Sequence, residues 1–276
     1  MSLLVRGGRL FRRGVFEAAD LLVREGRIEA VGPPGSLSPP LPVVEAAGLL
    51  VLPALVDAHV HFREPGLERK EGWESGSRAA ARGGVGTVLE VQNNDPLTTD
   101  PDRLAEREAR ARSKSIVDFG LYANLLPESR VHLGRMAETS PGFKAFLGGG
   151  GGHEGIGDSA TAHALFAAAA RAGRPVVVHA EDPSILAAAA SGGEDPARGR
   201  PALAETIAAA TAIECAAATG AEVHLFHVSA GRTVDLVEDA RARGLPVSAS
   251  VCPHYLLFTD EEVRRRGGWL RVKPPI

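Results

Sequence analysis

Two histidines stand two residues apart in Val56-Asp57-Ala58-His59-Val60-His61-Phe62-Arg63-Glu64-Pro65-Gly66, directly after the apolar run Gly48–Val56, which reads as a buried strand. On a strand such residues project from one face, so both imidazoles can reach a single point. Neutral imidazole is the commonest protein ligand for zinc. The bland alternative is a pair of satisfied core histidines, but this run continues into an arginine and a Pro-Gly turn. Two more histidines close later apolar runs: His179 in Val176-Val177-Val178-His179-Ala180-Glu181, and His227 in Val223-His224-Leu225-Phe226-His227. Each alone is as readily a core histidine. With the His-x-His pair they form a metal-binding constellation. On its run His227 shares a face with Leu225 and Val223, whereas His224 points the other way and reads as structural.

Lys144 is the other residue able to do chemistry. Lysine occurs only at positions 70, 114, 144 and 273, and Lys144 lies inside Gly142-Phe143-Lys144-Ala145-Phe146-Leu147. A buried ammonium there would be costly. Either the side chain snorkels to solvent, or it is a neutral amine able to add carbon dioxide. The resulting carbamate carries two anionic oxygens and can bridge two cations.

These residues need elements to position them. Residues 1 to about 50 hold short apolar runs broken by glycine and proline, the pattern of small antiparallel strands with tight turns; Gly32 to Pro42 reads as a loop. From residue 51 the pattern becomes apolar run, polar loop, amphipathic helix, repeated. Candidate strands are Leu50–Ala58, Gly86–Val91, Ile116–Tyr122, Gly142–Leu147, Pro175–His179, Glu222–His227 and Pro246–Val251. Helical stretches between them include Gly72–Arg82, Asp102–Arg112, Ala160–Ala172, Ala202–Ala218 and Arg232–Arg243. This alternation predicts an α/β fold, a TIM-like (β/α)8 barrel over 51–276, with residues 1–50 as the N-terminal part of a small β-sandwich. Seven strands rather than eight, and an extended end at Lys273-Pro274-Pro275-Ile276, predict that the last strand region lies beyond this chain.

At 276 residues, with net charge -3 and pI near 6.3, nothing points to nucleic acid or an anionic membrane. The start lacks a signal-peptide pattern and no stretch reads as membrane-spanning. Cys215 and Cys252 read as inert core thiols, which fits a reducing, cytoplasmic setting.

The motifs resemble a known family. Asp57-Ala58-His59-Val60-His61-Phe62-Arg63-Glu64-Pro65-Gly66 is similar to the signature of dihydroorotases in the amidohydrolase superfamily. So are Gln92-Asn93-Asn94-Asp95-Pro96, His179-Ala180-Glu181, Phe226-His227-Val228-Ser229 and Cys252-Pro253-His254-Tyr255-Leu256-Leu257. The later motifs are shared with allantoinases and dihydropyrimidinases. The resemblance covers essentially the whole chain and implies a two-zinc site. His59 and His61 would bind one ion, His179 and His227 the other, and carboxylated Lys144 would bridge them. Some bacterial dihydroorotases place an aspartate in this region. Here the stretch Gly148 to His153 carries no carboxylate, which favours Lys144. Arg63 and Asn93 match residues that hold the substrate's carboxylate.

Some features depart from the family pattern. Its strand-eight aspartate, a metal ligand and proton shuttle, would lie beyond Ile276, so no catalytic residue is assigned within the chain. The 276-residue piece is expected to be inactive unless another group, such as Asp158, takes that place. Pro53-Ala54 stands where relatives have Pro-Gly, and Val91-Gln92-Asn93-Asn94 replaces Met-Pro-Asn-Thr.

The expected activity is a zinc-dependent dihydroorotase, interconverting dihydroorotate and N-carbamoyl-aspartate in pyrimidine biosynthesis. The alternatives are an allantoinase or dihydropyrimidinase-type cyclic amidase, or a non-catalytic dihydroorotase-like subunit. The expected partners are the small substrate and further copies of the chain, with aspartate transcarbamoylase a candidate.

Overall fold

The computed structural model describes residues 1–91, 93–148, 155–189 and 199–276. It divides into two compact units, Met1–Leu55 and Val56–Ile276.

The first unit is one five-stranded sheet in the order β3-β2-β1-β4, with β5 also on β1. Its strands are β1 (Leu3–Arg12), β2 (Val15–Arg24), β3 (Arg27–Gly32), β4 (Val43–Glu45) and β5 (Leu50–Val51). The first three form antiparallel hairpins, whereas β4 and β5 pair parallel to β1, which the expectation of antiparallel strands missed. Arg12 faces Val15 and Arg24 faces Arg27, so each hairpin closes through two residues. Both residues of each turn have positive φ: 49° and 85° at Arg13-Gly14, 51° and 77° at Glu25-Gly26. That backbone matches the right-handed twist of the strands it joins.

In the second unit the strands run β6 (Leu55–Val60), β7 (Val85–Val91), β8 (Asp118–Asn124), β9 (Phe143–Leu147), β10 (Val176–Ala180), β11 (Val223–Leu225) and β12 (Val247–Ala249). They make one seven-stranded sheet in chain order. The pairs from β7 to β12 are all parallel. Helices lie in the connections, among them Trp73–Arg82, Pro101–Lys114, Ser159–Ala172, Ala202–Thr219 and Gly231–Ala242. This is the curled α/β sheet of a (β/α) barrel.

Sequence alternation decides which side each residue takes. On β9, Phe143, Ala145 and Leu147 join the main core with the helices, as do Val176, Val178 and Ala180 on β10. Lys144 pairs in register with Val177, and His179 with Phe146, on the opposite face. Val91, Tyr122, Val177 and Phe226 form a small separate cluster there.

Several expectations are corrected. The predicted strand Leu50–Ala58 is broken at Leu52–Ala54, and its two halves belong to different sheets. The run is not buried: Leu52, Leu55 and Val56 are 55%, 61% and 63% exposed. β6 is an edge of its sheet, with β7 as its one neighbour there. The helix Ala202–Thr219 has the length and composition of a membrane span, but it packs as a core helix. Its Ala208, Ala209, Ala212 and Ala216 are buried in the core cluster, where small side chains let a helix approach a sheet. Asp158 is exposed and caps the helix Ser159–Ala172, accepting the Thr161 N–H at 2.8 Å. That is a structural role.

Candidate metal centre

His59 sits near the end of β6 and His61 one residue past it. Their Nε2 atoms are 3.2 Å apart. The His61 Nδ1 is 2.9 Å from the Val91 carbonyl, which can only accept, so Nδ1 carries the proton and Nε2 is left bare. His179 is the last but one residue of β10, and its Nδ1 is 3.1 Å from the Nε2 of His227. A tetrahedral ion with bonds of about 2.0–2.1 Å holds neighbouring donors roughly 3.3 Å apart. Both separations suit that arrangement. Among the described residues no three His, Cys, Asp or Glu donors converge on one point. The donors come as two pairs.

Lys144 lies with them. It is 1% exposed, and its Nζ has no hydrogen-bond partner. The amine faces the rings of Phe226 and Phe146 at 4.6 and 4.7 Å. Snorkelling is therefore ruled out, and burial drives its pKa well below the ordinary lysine range. Burial also lowers the imidazoles. His61 is pushed to about 3 by burial with help from Arg63. His59, His179 and His227 are lowered by burial first, then by neighbouring charges. The four imidazoles are thereby neutral near pH 7, the form that binds metal.

His227 departs from its expected placement. β11 ends at Leu225, so strand alternation does not aim this ring. His227 has φ 43° and Arg63 has φ 63°, left-handed backbone that costs a non-glycine residue about 1–3 kcal/mol. Each strained residue is braced by a buried acidic side chain that its place in the sequence did not single out. Glu205, 4% exposed, accepts the Ser229 N–H at 3.0 Å, its hydroxyl at 2.8 Å and the Ala230 N–H at 3.0 Å. Glu90, fully buried, accepts the Phe62 N–H at 3.3 Å, and burial raises its carboxyl to about 8. The only signal for either was a charge within an apolar run, which also fits a solvated face.

Glu181 and Arg200 were likewise missed. Glu181 is 1% exposed, and its Oε2 lies 2.8 Å from the His179 Nε2. Arg200 donates through Nε to Glu181 Oε1 at 3.0 Å and through Nη2 to Oε2. Burial would raise this carboxyl, but the hydrogen bonds to His179 and Arg200 hold it below the usual range. Gly148, with φ 88°, ends β9 against the Glu181 carbonyl; a Cβ there would collide with that oxygen.

One cleft of about 1080 Å³ is lined by His59, His61, Lys144, His179 and His227 together with Arg63 and Asn93. The Asn93 Oδ1 is buried without a partner. Cys252, expected as a core thiol, is half-buried and lines the same cleft. Cys215 is buried. His224 pairs with the Ser248 hydroxyl at 2.8 Å. Gln92 and the stretch Gly149 to His153 lie outside the described residues.

A curled parallel sheet that gathers such donors at the carboxyl ends of its strands has the architecture of a barrel hydrolase. The chain belongs to the amidohydrolase family, whose model matches residues 50–267. It is 42% identical over 292 residues to the allantoinase of Rubrobacter xylanophilus, covering 100% of this chain and 63% of that protein. The dihydroorotase of Staphylococcus epidermidis is 31% identical over 283 residues, covering 99% and 65%. Among solved structures, the L-hydantoinase (dihydropyrimidinase) from Arthrobacter aurescens matches with a TM-score of 0.92 at 29% identity, covering 99% of this chain and 63% of that one. The chain thus spans somewhat under two thirds of the length of these relatives.

Proposed function

We propose that this chain carries the metal-binding part of a hydrolase that opens a cyclic amide, with allantoin as its substrate. The observation that carries the reading is the partnerless Lys144 amine, buried beside two histidine pairs whose nitrogens are spaced for metal ions. Allantoin is favoured over dihydroorotate, the substrate expected from the Phe62-Arg63-Glu64-Pro65-Gly66 run, because the allantoinases named among the relatives are 34–42% identical and the dihydroorotases 30–32%.

In this reading His59 and His61 would hold one divalent ion, zinc by ligand type, and His179 and His227 the other. Neutral Lys144 would add carbon dioxide through its nitrogen and release one proton, and the resulting carbamate would offer anionic oxygens to the ions. When bound, the ions supply Lewis acidity, acidifying water and polarising the ring carbonyl. Arg63 and Asn93 orient the substrate by donating to its oxygens, and the cleft walls Phe146 and Tyr255 limit water. Water oxygen joins the carbonyl carbon, the carbon–nitrogen bond breaks, and the ring nitrogen takes a proton.

Dihydroorotate remains the second reading, favoured by Arg63. Its half-buried guanidinium in the cleft suits a carboxylate. Homo-oligomers and a cytoplasmic setting belong to either reading, and association with aspartate transcarbamoylase to the second. The test is turnover of allantoin against dihydroorotate by the zinc-supplied full-length protein. Dihydroorotate turnover alone moves the assignment to the second reading. Zinc binding without turnover of either moves it to a non-catalytic subunit.

A further inference from the structure

The two histidine pairs are held by chemically different acceptors. His61 donates to a neutral backbone carbonyl at 2.9 Å. His179 instead places its Nε2 2.8 Å from the carboxylate of Glu181, which Arg200 grips through two donors. An ionised carboxylate only accepts, so a carboxylate at this distance favours the His179 tautomer that carries its proton on Nε2. Its Nδ1 is then bare and points toward the His227 Nε2, 3.1 Å away.

We infer that Glu181, clamped by Arg200, is a positioning residue that sets the tautomer of His179 and raises the basicity of its Nδ1 toward a divalent cation. This rests on the metal reading above. A carboxylate behind a ligating imidazole fixes the ring's orientation and tautomer, and losing such a partner typically weakens metal binding by roughly 10–100-fold. Arg200 acts one step further back. Its guanidinium keeps Glu181 ionised although the carboxylate is 1% exposed. The placement also has a backbone cause: the Glu181 N–H donates to the Leu147 carbonyl at 3.1 Å, tying the end of β10 to the end of the strand that bears Lys144.

The experiment uses zinc ion alone as probe, with nitrogen-15 NMR of the histidine rings as a second readout independent of metal. In the metal-free wild type, His179 should appear as the Nε2–H tautomer. Replacing the pair together, Glu181→Met with Arg200→Met, exchanges a buried ion pair for apolar side chains and should leave the fold intact. It should lose that tautomer preference and bind zinc roughly 10–100-fold more weakly. Arg200→Met alone should fall between this variant and wild type. Should the double variant fail to fold, Glu181→Gln keeps the shape without the charge and should still weaken zinc binding several-fold. Wild-type zinc affinity and an unchanged His179 tautomer in these variants would overturn the inference. If the wild type itself binds no zinc, the metal reading fails, and an unchanged tautomer in the variants would sink the positioning role separately.

Discussion

The ring of His59 stacks on that of Phe226 with centroids 3.9 Å apart and planes 19° from parallel. His59 belongs to β6, at one edge of the sheet, whereas Phe226 follows β11, with four strands between. Only a strongly curled sheet lets them meet. Phe226 also faces the Lys144 amine, so one buried ring supports both a ligand candidate and the bridge candidate. Phe226→Ala should destabilise the protein by about 3–5 kcal/mol in denaturant unfolding and weaken zinc binding. Wild-type zinc affinity in a folded variant would show that this ring does not position the site.

Lys144→Met tests the buried amine. An unsatisfied polar group is costly to bury, so the metal-free variant should be at least as stable as wild type, by up to roughly 1–3 kcal/mol. It should nevertheless lose one of the two ions and the activity. Urea unfolding and zinc stoichiometry measure the two effects, and carbon-13 bicarbonate should give a carbamate signal in wild type alone. Loss of stability with full zinc retention would contradict a bridging role.

The stability of the metal-free protein should depend on pH through the histidines. His61 has its folded pKa depressed from 6.5 to about 3 by burial and Arg63. Its contribution is therefore complete above about 6.5 and is lost as pH falls toward about 3, because the unfolded chain takes up the proton first. His59, His179 and His227 are shifted in the same direction. Thermal melts across this range should show the midpoint falling with acid. A midpoint that rises as pH falls would mean these rings are not buried neutral.

Arg63→Gln separates the two substrate readings. If the substrate presents a carboxylate to Arg63, truncation should cost about 2–5 kcal/mol in kcat/KM. An uncharged ring loses a lesser hydrogen bond, about 0.5–1.5 kcal/mol. Measuring both substrates on both proteins gives the comparison; an equal loss on each would argue against a carboxylate clamp.

Glu205→Ala removes the acceptor beneath the loop after His227. Leaving the Ser229 and Ala230 N–H groups buried and unpaired should cost about 1–3 kcal/mol for each. The same variant should relax the strained backbone at His227 and weaken the His179–His227 pair toward zinc. Unchanged stability and zinc affinity would mean that other contacts hold this loop.

Much of the site was legible in the sequence because its signals are local. His-x-His after an apolar run, a lysine inside one and histidines at the ends of two others are chemical oddities that strand alternation and burial cost make readable without coordinates. The βα alternation likewise carried the barrel class. The path of the chain through residues 50–56 was not legible. The same apolar run serves two sheets, and apolar residues look alike on a buried strand and on an exposed edge.

The sequence by itself determined which side chains could bind metal and which strands would present them, since both follow from residue type and a period of two. The tertiary structure decided the rest. It placed His227 by a left-handed backbone beyond its strand, closed Lys144 off from solvent, and set Glu181 and Arg200 behind His179. It also made Asp158 a helix cap. These outcomes depend on which strand ends the curl of the sheet brings together, a long-range relation that no spacing within a single segment encodes. The His59–Phe226 stack exists only because that curl brings β6 back toward β11.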